Sequence, residues 1–132
     1  MMFAVGDVVS IFAPTVGYDK YHLCIKIGED GGAHQFLFMN SEERFDSEYS
    51  VNCRRVPCLP PSRTGKTVFS FTMVPKYNDK QLKIYRADKK GSIDSVLAAD
   101  LLQHVEGVQT LTKSEKRTIL VALRFVTENN AC

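Results

Sequence analysis

Short, mainly hydrophobic runs separated by turn-forming residues recur along the first two thirds of the chain, and apolar and hydroxyl side chains alternate over residues 67–74. A period of two predicts β-strands with one buried face. Asp30, Gly31 and Gly32 suit a tight hairpin turn because these residue types tolerate positive φ. The predicted strands are residues 6–12, 20–27, 36–41, 49–52, 67–74 and 81–85, and the last two are expected to pair as a hairpin across residues 77–79.

The spacing of apolar residues changes after Gly91, where they recur every three or four positions as in an amphipathic helix. This pattern predicts a helix near residues 94–106, which Gly107 is well placed to end. A second helix is predicted near residues 113–127, because Thr112 opens a capping-box pattern. Strands that come before helices predict terminal helices covering a twisted antiparallel sheet or small barrel.

Length and composition agree with one mainly β domain. The chain has 132 residues, of which 44% are hydrophobic, enough to build one ordinary core. We expect a single domain over residues 1–132, with a barrel-like sheet over residues 1–86 and a helical C-terminal part over residues 87–132. No apolar run approaches the roughly 18 residues of a membrane span, and the start of the chain lacks a signal-peptide pattern. A soluble cytoplasmic protein that does not enter membranes is therefore expected.

The net charge and the spacing of the cysteines exclude some classes of function. The 17 basic residues nearly balance the 15 acidic ones, so the net charge of +2 excludes a protein that coats nucleic acid nonspecifically. The cysteines at positions 24, 53, 58 and 132 lack a Cys-x-x-Cys pair. We expect no bound metal and no cofactor, and four reduced thiols. Cys24 lies in an apolar run and is expected to be a small buried residue.

Polar groups at the ends of two neighbouring predicted strands form the main candidate site. Lys20 and His22 are two positions apart, so a strand points both side chains to one face, while Asn40 and Ser41 end the next strand. Cleavage of RNA through its 2′-hydroxyl needs a base, an acid and a cation that offsets charge on the phosphorane. We assign His22 as base or acid and Lys20 as the phosphate-binding cation. Asn40 and Ser41 would donate hydrogen bonds to phosphate or base.

Most of the chain resembles the MazF/PemK-like toxins, as a divergent member. The resemblance rests on Gly6-Asp7-Val8-Val9, a loop over residues 14–20, the apolar strand that follows, Asn40-Ser41, and the closing patterns of residues 91–105 and 111–126. It implies an SH3-like antiparallel barrel with two terminal helices, usually homodimeric. It also implies a metal-independent endoribonuclease of a toxin-antitoxin pair, which cuts single-stranded RNA and is inhibited by an antitoxin protein.

Only part of the family's site matches this sequence. Typical members have Arg-Pro where this chain has Tyr21-His22, and Thr-Ser where it has Asn40-Ser41. Ser41 and the loop position of Lys20 carry over directly. The role of His22 follows from its chemistry and is not implied by the resemblance.

A non-catalytic SH3-like module is the main alternative. It would bind a peptide or a nucleic-acid strand on a shallow aromatic surface made by Tyr18, Tyr21 and Phe38. In the nuclease interpretation, Tyr18 and Tyr21 join Asn40 as substrate-binding residues. An exposed aromatic strip would favour the module, whereas a cleft that contains Lys20, His22 and Ser41 would favour the nuclease.

A thiol-dependent enzyme is a further alternative. Cys53 and Cys58 flank two arginines, whose charge can lower the pKa of a thiol. Such an enzyme would need one of these cysteines to lie beside His22 or His34 in the folded chain.

Overall fold

The computed structural model describes residues 3–129, which form a seven-stranded antiparallel sheet and three α-helices. The strands are β1 (Asp7–Ala13), β2 (Tyr18–Lys26), β3 (His34–Asn40), β4 (Tyr49–Asn52), β5 (Lys66–Phe69), β6 (Lys76–Tyr77) and β7 (Asp88–Ser92). The helices are α1 (Asp79–Ile84), α2 (Ser95–Glu106) and α3 (Lys113–Asn129). The strand order is β4-β5-β3-β2-β1-β7, and β6 pairs with β3. This mainly β, antiparallel half-barrel with a C-terminal helix confirms the predicted class of fold.

Strands β2 and β3 lie at the centre of the sheet and are buried on both faces. Their register pairs Leu23 with Leu37 and His22 with Phe38, so alternate residues enter different cores. Leu23 and Leu37 belong to the larger core, which α2 and α3 cover. The smaller core lies on the other face of the sheet, and its buried members are Val9, Ile11, Cys24, Phe36, Tyr77 and Leu82.

The helices α2 and α3 begin at side chains that satisfy free backbone donors. The carboxylate of Asp94 accepts a hydrogen bond of 2.8 Å from the Leu97 N–H at the start of α2. Thr112 and Glu115 exchange hydrogen bonds of 2.9 and 3.1 Å at the start of α3, as the capping-box pattern predicts. These caps and the buried stripes of both helices explain why their bounds lie close to those read from the sequence.

The predicted hairpin between residues 67–74 and 81–85 is wrong, because residues 81–84 lie in helix α1. The side chain of Asn78 accepts a hydrogen bond of 2.8 Å from the Gln81 N–H, and the side chain of Gln81 accepts one of 2.9 Å from the Asn78 N–H. This capping box starts a helix that buries Leu82 in the smaller core. Capping therefore outweighs the alternation of apolar and polar residues in this segment.

The sheet also extends beyond the predicted limit at residue 86. Strand β7 pairs with the outer edge of β1, so the helical part begins at Ser95 instead of residue 87. Four of its five residues are exposed, which removes the apolar alternation that marks a strand in a sequence. The edge of β1 recruits this segment through backbone hydrogen bonds, and these depend little on side-chain type.

Gly6 provides a test of how the sheet meets α3. It has a φ of +93° just before β1, and a Cβ there would lie 2.7 Å from Cγ2 of Val126. We expect Gly6→Ala to lower the free energy of unfolding by about 2 to 4 kcal/mol, because backbone strain adds to overlap with α3. Gly17→Ala is the matched control, since Gly17 has a φ of +82° with nothing within 4 Å.

The control should cost only the backbone strain, about 1 kcal/mol. Urea unfolding of the two variants and the parent measures both effects. Equal losses in the two variants would show that Val126 does not restrict the space at Gly6.

Candidate functional site

A cleft of about 370 Å³ opens where the start of β2 meets the end of β3. Because these strands are antiparallel, the first residues of β2 lie beside the last residues of β3. The segment that leads into β5 also lines the cleft. Five of the six predicted site residues meet here, namely Tyr18, Lys20, Tyr21, Asn40 and Ser41. Pairing of the central strands therefore assembles the site from segments that are distant in the sequence.

Residues of β3 fix the side chain of Lys20. Its ammonium group donates a hydrogen bond to Oδ1 of Asn40 and lies 4.8 Å from the centre of the Phe38 ring, a cation–π distance. Burial and the positive charge of Arg44 lower the pKa of Lys20, while the negative charge of Glu48 raises it. An oriented cation beside an amide group is an arrangement that suits an anionic ligand.

The aromatic residues of the site differ in their access to solvent. Tyr18 is 57% exposed, and Tyr21 is half-buried against the larger core. Phe38 is only 7% exposed and lies against Lys20, so it offers little surface to a ligand. The three rings therefore do not form one exposed strip, and two tyrosines remain for contacts with a ligand.

His22 is buried and does not line the cleft, although it lies two residues from Lys20 on β2. Its side chain has no exposed surface and packs against Phe36, Phe38 and Tyr77. Nδ1 lies 2.9 Å from the carbonyl oxygen of Lys20, so the ring donates there, and Nε2, 3.3 Å from the Tyr77 hydroxyl, is left to accept. Burial lowers the pKa of His22 to about 4, which leaves the ring neutral at pH 7.

Sequence reasoning missed three basic residues that line the cleft, Arg44, Arg63 and Lys66. Arg63 forms an ion pair with Glu42, and Lys66 lies 3.6 Å from the carboxylate of Glu43. These pairs connect the loop after β3 with the loop before β5 and with the first residue of β5. The sequence shows charge in both loops, but only the pairing of β3 with β5 brings the loops together. With Lys20, four basic side chains face two acidic ones in the lining of the cleft.

The other histidines form contacts that explain them structurally. His34 accepts a hydrogen bond of 3.0 Å from the Gly28 N–H and lies 2.6 Å from the Asp79 carboxylate, which joins β3 to α1. His104 lies 2.7 Å from the carbonyl oxygen of Ser47. Both histidines therefore stabilise connections between elements.

The cysteines within residues 3–129 are Cys24, Cys53 and Cys58, and none of them forms a disulfide or a hydrogen bond with a histidine. Burial raises the pKa of Cys24 to about 12 and also raises that of Cys58. Cys132 lies outside the described residues. The Cys–His contact that a thiol-dependent enzyme requires is thus not formed in this part of the chain.

Two further features of the described chain bear on function. Between residues 3 and 129, no group of three or more His, Cys, Asp or Glu side chains is arranged to hold a metal ion. In the same range, no helix combines the length and apolar character that crossing a membrane requires.

The buried His22 ring gives a prediction about stability and pH. Its pKa lies near 4 in the folded chain, below the ordinary value of 6.5, so the unfolded chain binds a proton more readily. Stability from this residue is present above pH 6.5 and is lost as the pH falls toward 4. We expect the free energy of unfolding to fall by about 2 kcal/mol more in the parent than in His22→Gln between pH 7.5 and 5.

The glutamine variant is a suitable control because its amide can donate to the Lys20 carbonyl and accept from Tyr77. Urea unfolding at a series of pH values measures the difference. If the parent and the variant lose stability equally, the imidazole is not a buried neutral group.

Comparisons with known proteins do not indicate a function for this chain. No model of a known protein family matches the chain, and no curated protein matches it. The chemistry of the cleft, and the resemblance of the sequence pattern to one toxin family, therefore carry the proposal.

Proposed function

We propose that this protein is a metal-independent endoribonuclease that binds single-stranded RNA in the cleft between β2, β3 and the loop before β5. One observation carries the proposal: antiparallel pairing brings Lys20, Asn40 and Ser41 onto one concave surface beside two tyrosines. These three residues belong to the set that the chemistry of RNA cleavage suggested, whereas His22, the predicted base or acid, does not line the cleft. Their meeting in a cleft with an excess of basic side chains favours a nuclease over a flat binding module.

The cleft suits a single strand better than a duplex. Single-stranded nucleic acids bind through a basic groove that follows the phosphates and aromatic rings on which bases stack. Lys20 and the two loops supply the positive charge, and the exposed ring of Tyr18 is available for stacking beside Tyr21. The excess of positive charge is local, which agrees with a chain whose net charge is only +2.

The reaction proceeds by attack of the ribose 2′-oxygen on the adjacent phosphorus, and the proton of the 2′-hydroxyl passes to solvent water. The bond from phosphorus to the 5′-oxygen of the next nucleotide breaks, and this oxygen takes a proton from water, which leaves a cyclic phosphate on one product and a 5′-hydroxyl on the other. Lys20 offsets the charge that builds on the phosphorane, and Asn40 and Ser41 donate hydrogen bonds to it. His22 acts as a positioning residue, because its ring holds the main chain of Lys20 and does not line the cleft.

The same proposal includes the finer description of the fold and the regulation that the family resemblance implies. The half-barrel and its two C-terminal helices, α2 and α3, would be a divergent SH3-like barrel of the MazF/PemK type. An antitoxin would inhibit the enzyme by filling the cleft, and its basic lining favours a segment with acidic side chains.

We further propose that the protein is a homodimer that buries an apolar groove beside α3. The groove has a volume of about 620 Å³ and is lined by residues that include Ile27, Val121 and Phe125. Val121 and Phe125 are 59% and 51% exposed, although α3 already buries a separate stripe in the larger core. Two copies of α3 that cross antiparallel at Val121 would bring the basic first turns of the helices toward Glu128 near their ends.

Cleavage of RNA without metal is the principal prediction. The purified protein should cleave single-stranded RNA in the presence of EDTA and leave a cyclic phosphate end. Lys20→Gln should lower the rate by roughly a hundredfold or more, because one cation that stabilises the transition state is lost. Lys80→Gln, which alters an exposed lysine of α1 outside the cleft, should cleave at the parent rate.

Gel analysis of end-labelled RNA, with both variants checked for equal melting temperature, measures these effects. Dependence on added magnesium, or parent-like cleavage by Lys20→Gln, would contradict the proposed chemistry. Binding of RNA without any cleavage by the parent would favour the non-catalytic module.

Dimer formation through α3 is a separate prediction. Light scattering should give the mass of a dimer at roughly tens of micromolar, an ordinary range for dimer affinities. Val121→Glu should shift the equilibrium to monomer, because it places a charge in the apolar contact. Lys80→Glu introduces the same side chain at an exposed position of α1 outside the groove and should remain dimeric. A monomeric parent protein at these concentrations would count against the interface.

A further inference from the structure

The loop between β3 and β4 is closed by a buried carboxylate. Glu48 is only 7% exposed, and its Oε1 accepts hydrogen bonds from the backbone N–H groups of Arg44 and, at 2.8 Å, Phe45. The backbone N–H of Glu48 donates to the Phe45 carbonyl at 3.2 Å. Hydrogen bonds that a charged acceptor makes to backbone donors are stronger than neutral ones. Glu48 therefore fixes the backbone at Arg44.

This loop carries Arg44 to the cleft. Arg44 is exposed and lines the cleft together with Lys20, Asn40 and Ser41. Both cations line one cleft of about 370 Å³, and the positive charge of Arg44 helps to lower the pKa of Lys20. Two other basic residues of the cleft, Arg63 and Lys66, have acidic partners, whereas the Arg44 guanidinium has no ion pair among the residues that the structure describes.

We infer that Arg44 and Lys20 form a two-cation site for one phosphodiester group of the RNA, and that Glu48 is the residue that positions Arg44. The inference rests on the proposed function and adds a second phosphate-binding residue to it. Two cations near each other repel, and an anion bound between them relieves that repulsion. A guanidinium group also offers two parallel donors to a phosphate, which gives orientation as well as charge.

The two cations of the proposed site come from different elements of the fold. Lys20 approaches from β2 with its ammonium oriented by Asn40, and Arg44 approaches from the loop that Glu48 holds. The strand of β2 therefore supplies one cation and the loop after β3 supplies the other.

Salt dependence of binding tests the inference directly. Affinity for a single-stranded 2′-O-methyl RNA, which cannot be cut because its nucleophile is blocked, is measured by fluorescence anisotropy across a salt series in EDTA. The magnitude of the slope of log K against log salt should fall in Arg44→Gln, by up to about 0.7, the value for one phosphate contact to a single strand, because Lys20 still contacts the shared phosphate. Lys20→Gln should show a similar fall. In the double variant the affinity should fall by less than the product of the two single losses, because both side chains contact one phosphate.

Arg124→Gln is the matched control, since it removes one arginine charge from an exposed position of α3 outside the cleft. Its slope should equal that of the parent. An unchanged slope in Arg44→Gln, with the parent binding RNA, would overturn the inference and leave the proposed function standing. Failure of the parent to bind any RNA would overturn both, while binding without cleavage would preserve this site and remove only the catalytic proposal.

Variants of Glu48 separate positioning from charge. Glu48→Gln keeps an oxygen that accepts from both backbone N–H groups, so its affinity should stay within about threefold of the parent. Glu48→Ala removes the acceptor and should weaken binding about as much as Arg44→Gln. Adding Arg44→Gln to Glu48→Ala should then cause no further loss.

Equal weakening by Glu48→Gln and Glu48→Ala would overturn the positioning role, because charge and not loop closure would then govern binding. A parent-like affinity in a folded Glu48→Ala variant would overturn it as well. Thermal melting identifies a variant that fails to fold. In that case the slopes of Arg44→Gln and Arg124→Gln still decide whether Arg44 contacts phosphate, and the affinity of Glu48→Gln decides whether the charge is needed.

Discussion

The pairing of β2 with β3 is the constraint on which the rest of the molecule depends. These strands are buried on both faces, so their register decides which side chains enter each core. A shift by one residue would exchange the two sets and place Leu23 and Leu37 under α1. The same pairing sets the start of β2 beside the end of β3, where the cleft opens. Core and cleft are therefore consequences of one register.

Residue patterns predict the parts of this arrangement that depend on local sequence. The apolar runs in β1 to β3 reflect the burial of these strands, and the caps of α2 and α3 use side chains close to the helix starts. Pattern fails at α1 and β7. The reciprocal hydrogen bonds between Asn78 and Gln81 cause residues 79–84 to form helix α1. The free edge of β1 causes residues 88–92 to form strand β7. Neither the capping box nor the pairing with β1 produces a periodic pattern of hydrophobic residues in the sequence.

The misassignment of α1 also explains what sequence reasoning missed about His22. The period of two places Lys20 and His22 on one face of β2, as the site prediction assumed. With α1 assigned as a strand, nothing in the pattern indicates that this face carries a second core. In the structure, Tyr77 and the segment that includes α1 cover the face at His22, while Lys20 lies at its edge and reaches the cleft. Arg44 was missed for another reason, because its loop joins the cleft only through tertiary pairing.

The hydrogen bond from the His22 ring to the Lys20 carbonyl links the interior to the ligand-facing surface. Selection for a particular ligand would act on the side chain of Lys20. Any substitution there must still fit the main-chain position that the hydrogen bond with His22 fixes. Substitutions at the exposed and the buried residues of β2 are therefore expected to depend on each other. Homologous chains that change the aromatic cluster of Phe36, Phe38 and Tyr77 would be expected to change the residues at the mouth of the cleft as well. A hydrogen bond of this kind is therefore expected to produce covariation between buried and solvent-exposed positions.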